Sequence, residues 1–453
     1  MMQSLTLDFL AGLLDGQIRG AQENTFCRVV TDTRQTSDQA LFVALQGPRF
    51  DGHDFIAAAR EAGASAALVE RWVDDPLPQV KVASSLQALG QLAAWNRQAF
   101  KGPVVGVTGN SGKTTVKEML AAMLRLDRGS VLATPGNLNN AIGLPLTLLS
   151  LEPQHQAAVI ELGANHLGEI DYLASLTRPD LGVITNVTGA HLGEFGSLEA
   201  IAQAKGELLA WLPNDGVSVL NAEDVFFDFW RKQSLCPITS FGIRQGDVRA
   251  EDLHTDALGN SQFTAVTPWG RQVVHLALPG RHNLSNALAS MALAGHLGIV
   301  LEVQAQALAE MQSVKGRLQR INAYGDALLL DDSYNASPGA VKSAIDLLAS
   351  LPGKRLLALG ALAELGDASA AIHSQLGGYA REQKLDGLYV LAGAAEAAAS
   401  AFGQEARVFA DHSALAEALK PHLDRETCLL VKGSRSARMD LLVTLLRKEE
   451  TGA

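Results

Sequence analysis

Apolar positions along this chain fall into two alternating rhythms. Short unbroken runs at 104–107, 157–160, 181–185 and 217–220 are flanked by Gly, Asn and Asp, as buried parallel strands are. Between them the spacing changes to that of a helix, as in Val116, Met119, Leu120 and Met123. The pattern predicts helices at 113–125, 168–176 and 197–211, with a further helix at 84–100 leading into the first of these strands. Strand followed by helix, repeated, predicts a doubly wound parallel α/β sheet. Residues 248–279 alternate polar and apolar and predict an antiparallel insert. A loop and a long Ala-rich helix follow over 278–298.

On either side the rhythm restarts. Residues 5–15 have helical spacing, short strands are expected at 29–32, 40–44 and 66–69, and a helix at 56–62 follows the Gly- and Asp-rich loop at 47–55. After 313, strands are expected at 327–331, 356–359, 387–391, 407–409 and 428–431, with helices between, and the charged tail at 447–453 is expected to fray. At 453 residues the chain exceeds what one core supports, and three units are expected: 1–82, 83–313 and 314–453.

Composition changes this picture little: 47% hydrophobic, 19% charged and 5% aromatic residues describe an ordinary globular protein. Charge and cysteine content exclude more. A formal net charge of −11 disfavours general binding to nucleic acid or to an anionic membrane. The three cysteines, Cys27, Cys236 and Cys428, are far apart and odd in number, so neither a zinc site nor a disulfide framework is expected. The first residues lack a basic stretch and carry Asp8 and Asp15, unlike a signal peptide, and no apolar run approaches a membrane span. A cytoplasmic protein is expected.

The chemistry centres on VVGVTGNSGKTT at 104–115. An apolar strand, a Gly-rich turn and a helix opening with Lys113, Thr114 and Thr115 make the setting of a phosphate-binding loop. Gly109, Asn110, Ser111 and Gly112 would present backbone N–H groups to phosphates. Lys113 would neutralise the β- and γ-phosphates, and Thr114 would ligate magnesium. Val107 stands where the usual spacing has a first glycine. Glu161, at the end of the next strand, is placed to hold magnesium, and His191, on a later Gly-rich loop, to join it. Asn186 and Asn221 also follow strands, where ligands bind in such sheets.

Other polar clusters leave two readings open. Thr31, Asp32, Arg34, Asp51 and His53 either bind a ligand or satisfy local turns. Asn137, Asn139 and Asn140 lie in a loop able to bond a polar substrate. His282, Asn283 and Asn286 start a helix, where Asn283 suits a cap and Asn286 an adenine edge. Asp332 suits a ribose hydroxyl or Arg317, while Lys432, Arg435 and Arg438 form a basic cluster suited to a carboxylate or phosphate. Lys205, on a helix, reads as a solvated surface residue.

Taken in order, VTGNSGKTTVKEML (107–120), TPGNLNNAIGLPLTLL (134–149), VIELGANHLGEI (159–170), AHLGEFGS, AKGELL, LPGRHNLSNALA, GRL, LDDSYNASP (330–338) and LVKGSRSARM (430–439) resemble the Mur ligase superfamily. DDSYNASP, KGSR and the early TDTRQTSDQALFVALQGPRFDGHDF resemble the branch that adds D-alanyl-D-alanine to UDP-N-acetylmuramoyl-tripeptide. The resemblance implies three domains: one for the UDP end, one for ATP, and a Rossmann-like one for the amine. It implies ATP and one or two Mg²⁺ ions, with Thr114, Glu161, His191 and Lys205 as metal ligands and Lys205 carbamylated. It places Asn283, Asn286, Arg317 and Asp332 at the nucleotide. Thr31, Arg34, Asp51, His53, Asn137, Asn139, Asn140, Tyr334, Asn335, Lys432, Ser434 and Arg435 fall at the two other substrates. Partners would be the UDP-linked tripeptide and D-Ala-D-Ala, with neither nucleic acid nor membrane insertion and one copy acting alone. Two departures, Ala361 where Asp is common and Ser337 where Asn is common, bear on substrate contacts. Alternatives are another amide ligase of the superfamily and a non-catalytic binder of nucleotide-linked peptides.

Overall fold

Three α/β layers carry the chain, their sheets running over 17–81, 104–241 and 319–432. The computed structural model describes residues 2–448 except Arg49, 189–194 and 257–258. His191 therefore lies outside the described residues, as does most of the tail expected to fray.

The first layer is a five-stranded sheet in the order Gln17–Arg19, Gln79–Lys81, Ala64–Val69, Ala40–Val43, Arg28–Val30, parallel except for the first pair. Alternation along Ala40–Val43 divides its faces. Ala40 and Phe42 pack with Ile56 and Ala59, while Leu41 and Val43 pack with Leu89 and Leu92 of the next helix. That second face runs without a break into the middle layer through Leu144, Ile160 and Leu173. The edge strand Gln17–Arg19 has no fully buried residue, so it carries no apolar signature in the sequence.

The middle sheet has six parallel strands in the order Val131–Ala133, Ala157–Glu161, Val104–Thr108, Leu181–Ile184, Val217–Asn221, Ile238–Phe241. From Val104–Thr108 the chain crosses to one side, and from its neighbour Ala157–Glu161 it crosses to the other. The site-bearing loops leave the sheet at this reversal, where a crevice opens beyond the strand ends. Helix Lys113–Arg128 covers one face with Arg281–His296, and Glu169–Thr177 covers the other. The expected insert is a three-stranded antiparallel sheet, Arg249–Thr255, Ser261–Thr267 and Gly270–Leu276. The helix expected at 197–211 is α-helical over Leu198–Gly206 and tightens to a 3₁₀ turn at Glu207–Trp211.

The last sheet has the order Gln319–Asn322, Leu328–Asp332, Thr427–Lys432, Lys354–Leu359, Gly387–Leu391, Ala406–Phe409, parallel after the first pair. Its helices cover both faces. Val341, Leu376 and Ala398 bury one side, and Leu415, Leu419 and Leu442 bury the other. Its strand carboxyl ends, at Asp332 and Lys432, face the crevice of the middle sheet across a shared cleft.

Candidate active site

Val107 is fully buried and pairs in register with Glu161 on one side and Val183 on the other. The glycine missing from the usual spacing is thus an ordinary strand position here, and the loop proper begins after Thr108. Its backbone then takes two turns closed to other residues. Gly109 has φ 137°, and a Cβ there would meet Thr185 Oγ1 at 2.0 Å. Gly112 has φ 83°, and a Cβ would lie 2.3 Å from Asn286 Oδ1. Asn186 clasps the loop from the neighbouring strand end. Its Oδ1 accepts from Ser111 N at 3.1 Å and its Nδ2 donates to Ser111 O at 3.1 Å, while its carbonyl accepts from Asn110 N at 2.9 Å. This clasp explains why an amide follows that strand.

Lys113 Nζ donates to the carbonyls of Gly109 at 2.8 Å and Asn110 at 3.1 Å, which holds the ammonium over the loop. Desolvation pushes its pKa below the ordinary lysine value, with Glu161 opposing. Thr114 Oγ1 donates to Glu161 Oε2 at 2.8 Å, and Asn139 Nδ2 donates to Glu161 Oε1 at 2.8 Å. The buried Glu161 carboxylate is held on both oxygens at the mouth of the loop. From the last layer, Arg317 NH2 reaches Thr114 Oγ1 at 3.0 Å and its guanidinium lies 4.6 Å from the centre of the Tyr334 ring. Residues some two hundred positions apart thus meet on one hydroxyl.

Asn286 and Asn283 line the same cleft, joined by Asn286 Nδ2 donating to Asn283 Oδ1 at 3.2 Å. Asn283 does not cap its helix. The flanking residue is Gly280, and Asn283 Nδ2 instead donates to Pro279 O at 2.7 Å. Asp332 does not pair with Arg317. It accepts from Lys432 Nζ at 2.5 Å and from Leu318 N at 3.2 Å. Lys432 is buried and also donates to Asn335 O, so of the basic cluster Arg435 is the exposed member facing the cleft. Ser434 Oγ donates to Ala361 O at 2.7 Å, and both Tyr334 and Asn335 line the cleft. Ala361 thus contributes a carbonyl where a side chain was expected to matter. Ser337 caps helix Pro338–Ser350.

The structure corrects the surface reading of Lys205. Its side chain is buried, Nζ donates to Ala164 O at 3.1 Å and lies 5.3 Å from the Phe195 ring centre. Desolvation, reinforced by Lys113, lowers its pKa to about 7. Ile201 and Leu208, four before and three after it, are also buried, so the helix face itself carried the signal.

The first-layer candidates do not line this cleft. His53 is buried with both ring nitrogens engaged: Nδ1 to Asp51 Oδ1 at 2.6 Å, and Nε2 accepting from Glu70 N at 2.9 Å. The His53 backbone N–H and ring, with Arg71, hold Asp51 well below the usual carboxylate range. Arg34 pairs with Asp32 at 2.6 Å and is largely exposed, while Thr31 is half-buried. Sequence reasoning also passed over Lys117, a fully buried lysine one turn beyond Lys113, and gave His282 no role. His282 lines the cleft, and burial lowers its pKa.

The cleft encloses about 1490 Å³ between the middle and last layers. It offers an anion cradle, a buried carboxylate paired with a hydroxyl, and amide groups beside both. This arrangement can hold a nucleotide's phosphates and a second anion together. Three family profiles match the chain: Mur ligase family, catalytic domain, over residues 26–97; Mur ligase middle domain over 107–294; and Mur ligase, glutamate ligase domain, over 316–435. The UDP-N-acetylmuramoyl-tripeptide--D-alanyl-D-alanine ligase of Escherichia coli (strain K12) is 44% identical over 99% of this chain and 100% of that protein.

The chain belongs to the MurF branch of the Mur ligase family.

The Bacillus subtilis ligase of the same description is 34% identical to this ligase, over 97% of each chain. A crystal structure of MurF from Acinetobacter baumannii superposes with a TM-score of 0.92 at 35% identity, covering 98% of both chains. A MurF ligase from Thermotoga maritima in complex with ADP gives 0.82 at 32% identity, covering 92% of this ligase and 96% of that chain. ATP use by this ligase follows from its family. Among the described residues no helix is long and apolar enough to cross a membrane.

Proposed function

We infer that this ligase joins D-alanyl-D-alanine to the terminal carboxylate of UDP-N-acetylmuramoyl-tripeptide at the expense of ATP, a cytoplasmic step in peptidoglycan precursor synthesis. The observation that carries this reading is the Thr114–Glu161 pair at the phosphate loop, reached by Arg317 from the other side of the cleft. The first unit (1–82) takes the UDP end, the second (83–313) ATP, and the third (314–453) the dipeptide. One copy supplies every residue named.

A carboxylate is a poor acceptor for an amine, and an acyl phosphate is a good one. The acceptor's carboxylate attacks the γ-phosphate, ADP leaves, and the dipeptide's neutral amine attacks the acyl carbon. A tetrahedral intermediate forms and phosphate is released. Bringing two anions together is the main electrostatic cost. Lys113 meets it with a fixed positive charge, and the N-terminal end of helix Lys113–Arg128 adds its partial positive charge. The Asn110 and Ser111 N–H groups, expected at phosphate, are instead taken by Asn186. Among the described residues no three His, Cys, Asp or Glu side chains cluster as a metal cage. Two hard oxygen donors, Thr114 Oγ1 and a Glu161 oxygen, nonetheless sit together beside the loop and would suit a divalent cation such as magnesium. Held there, magnesium would supply charge neutralisation. Lys205, with its pKa near 7, presents a neutral amine able to add CO₂, forming an N–C bond and releasing one proton. The carbamate adds an anionic oxygen donor, and His191 is proposed as a further ligand.

Asn283 and Asn286 read the adenine, and Arg317 and Asp332 complete the nucleotide site from the third unit. Asn137, Asn139 and Asn140 meet the muramoyl-peptide. Tyr334, Asn335, Lys432, Ser434 and Arg435 surround the dipeptide, with Arg435 the exposed partner for its carboxylate. The test is phosphate release with ATP and the UDP-linked tripeptide against D-Ala-D-Ala, diaminopimelate, D-Glu and L-Ala in turn. Turnover confined to D-Ala-D-Ala is expected. Preference for another amine overturns the assignment.

A further inference from the structure

Lys117 is the feature of this site that the mechanism leaves unused. It is fully buried, on the helix that opens with Lys113 and Thr114. Its Nζ donates to Thr134 O at 2.5 Å and lies 2.8 Å from Glu118 Oε1. A buried ammonium is costly, and a well-packed apolar side chain of similar size usually serves stability as well or better. Its worth must then lie in what it fixes.

Thr134 is where it acts. This residue directly follows the edge strand Val131–Ala133 and begins the loop that carries Asn137, Asn139 and Asn140. Thr134 N donates to Val159 O at 3.1 Å, and Thr134 Oγ1 accepts from Glu161 N at 2.9 Å. The Glu161 carboxylate returns to the same helix through Thr114 Oγ1, and Asn139 holds its other oxygen. Helix, Lys117, Thr134, Glu161 and Thr114 therefore close a ring of hydrogen bonds.

We propose that Lys117 is a positioning residue that sets the register of the asparagine loop, and with it acceptor binding, against the phosphate loop. It touches no substrate and acts through Thr134. The Asn-rich segment is exposed at Asn137 and Asn140 and half-buried at Asn139; farther along it is tied by Asn139 O accepting from Gly163 N at 2.8 Å and by Asn139 Nδ2 on Glu161, and Lys117 ties its root. One charged donor at its root holds its starting point. The proposal rests on the function assigned above, in which that segment meets the muramoyl-peptide.

The test is titration calorimetry of the UDP-linked tripeptide with the full chain, without ATP or metal, on wild type and on Lys117→Met, with thermal unfolding in parallel. Lys117→Met keeps length and bulk and removes the charge and the donor. The expected result is about tenfold weaker acceptor binding, the size of one lost charged hydrogen bond. In turnover the acceptor KM should rise with it, while kcat at saturating acceptor stays within about threefold. Lys117→Arg, which keeps the charge, should recover part of the affinity. A folded Lys117→Met that binds the acceptor as wild type does, with only a lower unfolding temperature, overturns the proposal. If Lys117→Met does not fold, Lys117→Gln is read by the same two outcomes. Wild type that fails to bind the acceptor overturns the assigned function instead.

Discussion

The loop of the first layer at 46–54 and the crevice of the middle layer hold similar residues in similar settings. Each follows strands, each is rich in Gly and in Asp or Asn, and each contains acids and bases. They differ in where their polar atoms point. In the first, Asp51 takes the ring and backbone of His53, Arg71 and Gln46, and His53 takes Glu70 N, so the cluster satisfies itself. In the second, Lys113, Glu161, Asn139, Asn286 and Arg317 converge from five separate stretches of chain onto one shared cleft. Self-satisfied polar groups fix a turn. Polar groups gathered around a common space are placed for something that enters it.

The sharpest way to test that contrast is to remove the charge at the centre of the second region. Lys113→Ala should lower kcat by at least about a thousandfold, because the developing charge on the transferred phosphoryl loses its fixed cation. Binding of the UDP-linked acceptor, followed by calorimetry, should change little. Retained turnover would refute the role given to the loop.

Lys205 comes next. Lys205→Ala should lose about a hundredfold in activity and regain part of it with added short carboxylates in place of a carbamate. The sign of the pH effect follows from the lowered pKa. Above about 7 the amine is neutral and can add CO₂, and below it the amine is protonated and cannot. Wild-type activity at limiting bicarbonate should therefore fall as pH is lowered through about 7, and that dependence should vanish in the rescued variant. No rescue, with a wild type indifferent to bicarbonate, would remove carbamylation from the mechanism.

His53→Ala probes the opposite region. It strips the half-buried Glu70 N–H of its acceptor and Asp51 of a donor, and should cost about 1–2 kcal/mol in stability. The ATP KM should not move. A shift in nucleotide kinetics, measured beside chemical unfolding, would show that the two regions are coupled and weaken the contrast.

Much of this was legible in the sequence, for physical reasons that also mark where legibility ends. Strands buried on both faces, such as Val104–Thr108 and Ala157–Glu161, announce themselves as unbroken apolar runs. The strand Gln17–Arg19 stands at a sheet edge with exposed ends and leaves no such run. The loop motif was legible because backbone conformation at Gly109 and Gly112 forces the residue type. The partners of Asp332 were not readable. The sequence suggested a ribose hydroxyl or Arg317, and only the placement of Thr427–Lys432 beside Leu328–Asp332 brings Lys432 to that carboxylate. Lys117 was hidden because the first turns of its helix are buried nearly all round, so a charged residue there breaks no amphipathic pattern.

Arg34 is the smallest and most discriminating probe. Its guanidinium clasps Asp32 at 2.6 Å and holds that carboxyl down at about 2, yet the arginine side chain is 87% exposed. An ion pair so open to water is screened and adds little to stability. Arg34→Ala should therefore unfold with wild type, unlike His53→Ala. What an exposed guanidinium can still do is meet an incoming anion with the donors Asp32 leaves over, and the UDP end of the acceptor carries two phosphates. If the first layer takes that end, Arg34→Ala should weaken acceptor binding by about threefold to tenfold, more at low salt than at high, with ATP kinetics untouched. Unchanged affinity would reduce the 31–34 segment to turn chemistry, like the loop at 46–54. A loss that disappears in salt would instead separate the two first-layer clusters, one a buried strut and the other a contact surface.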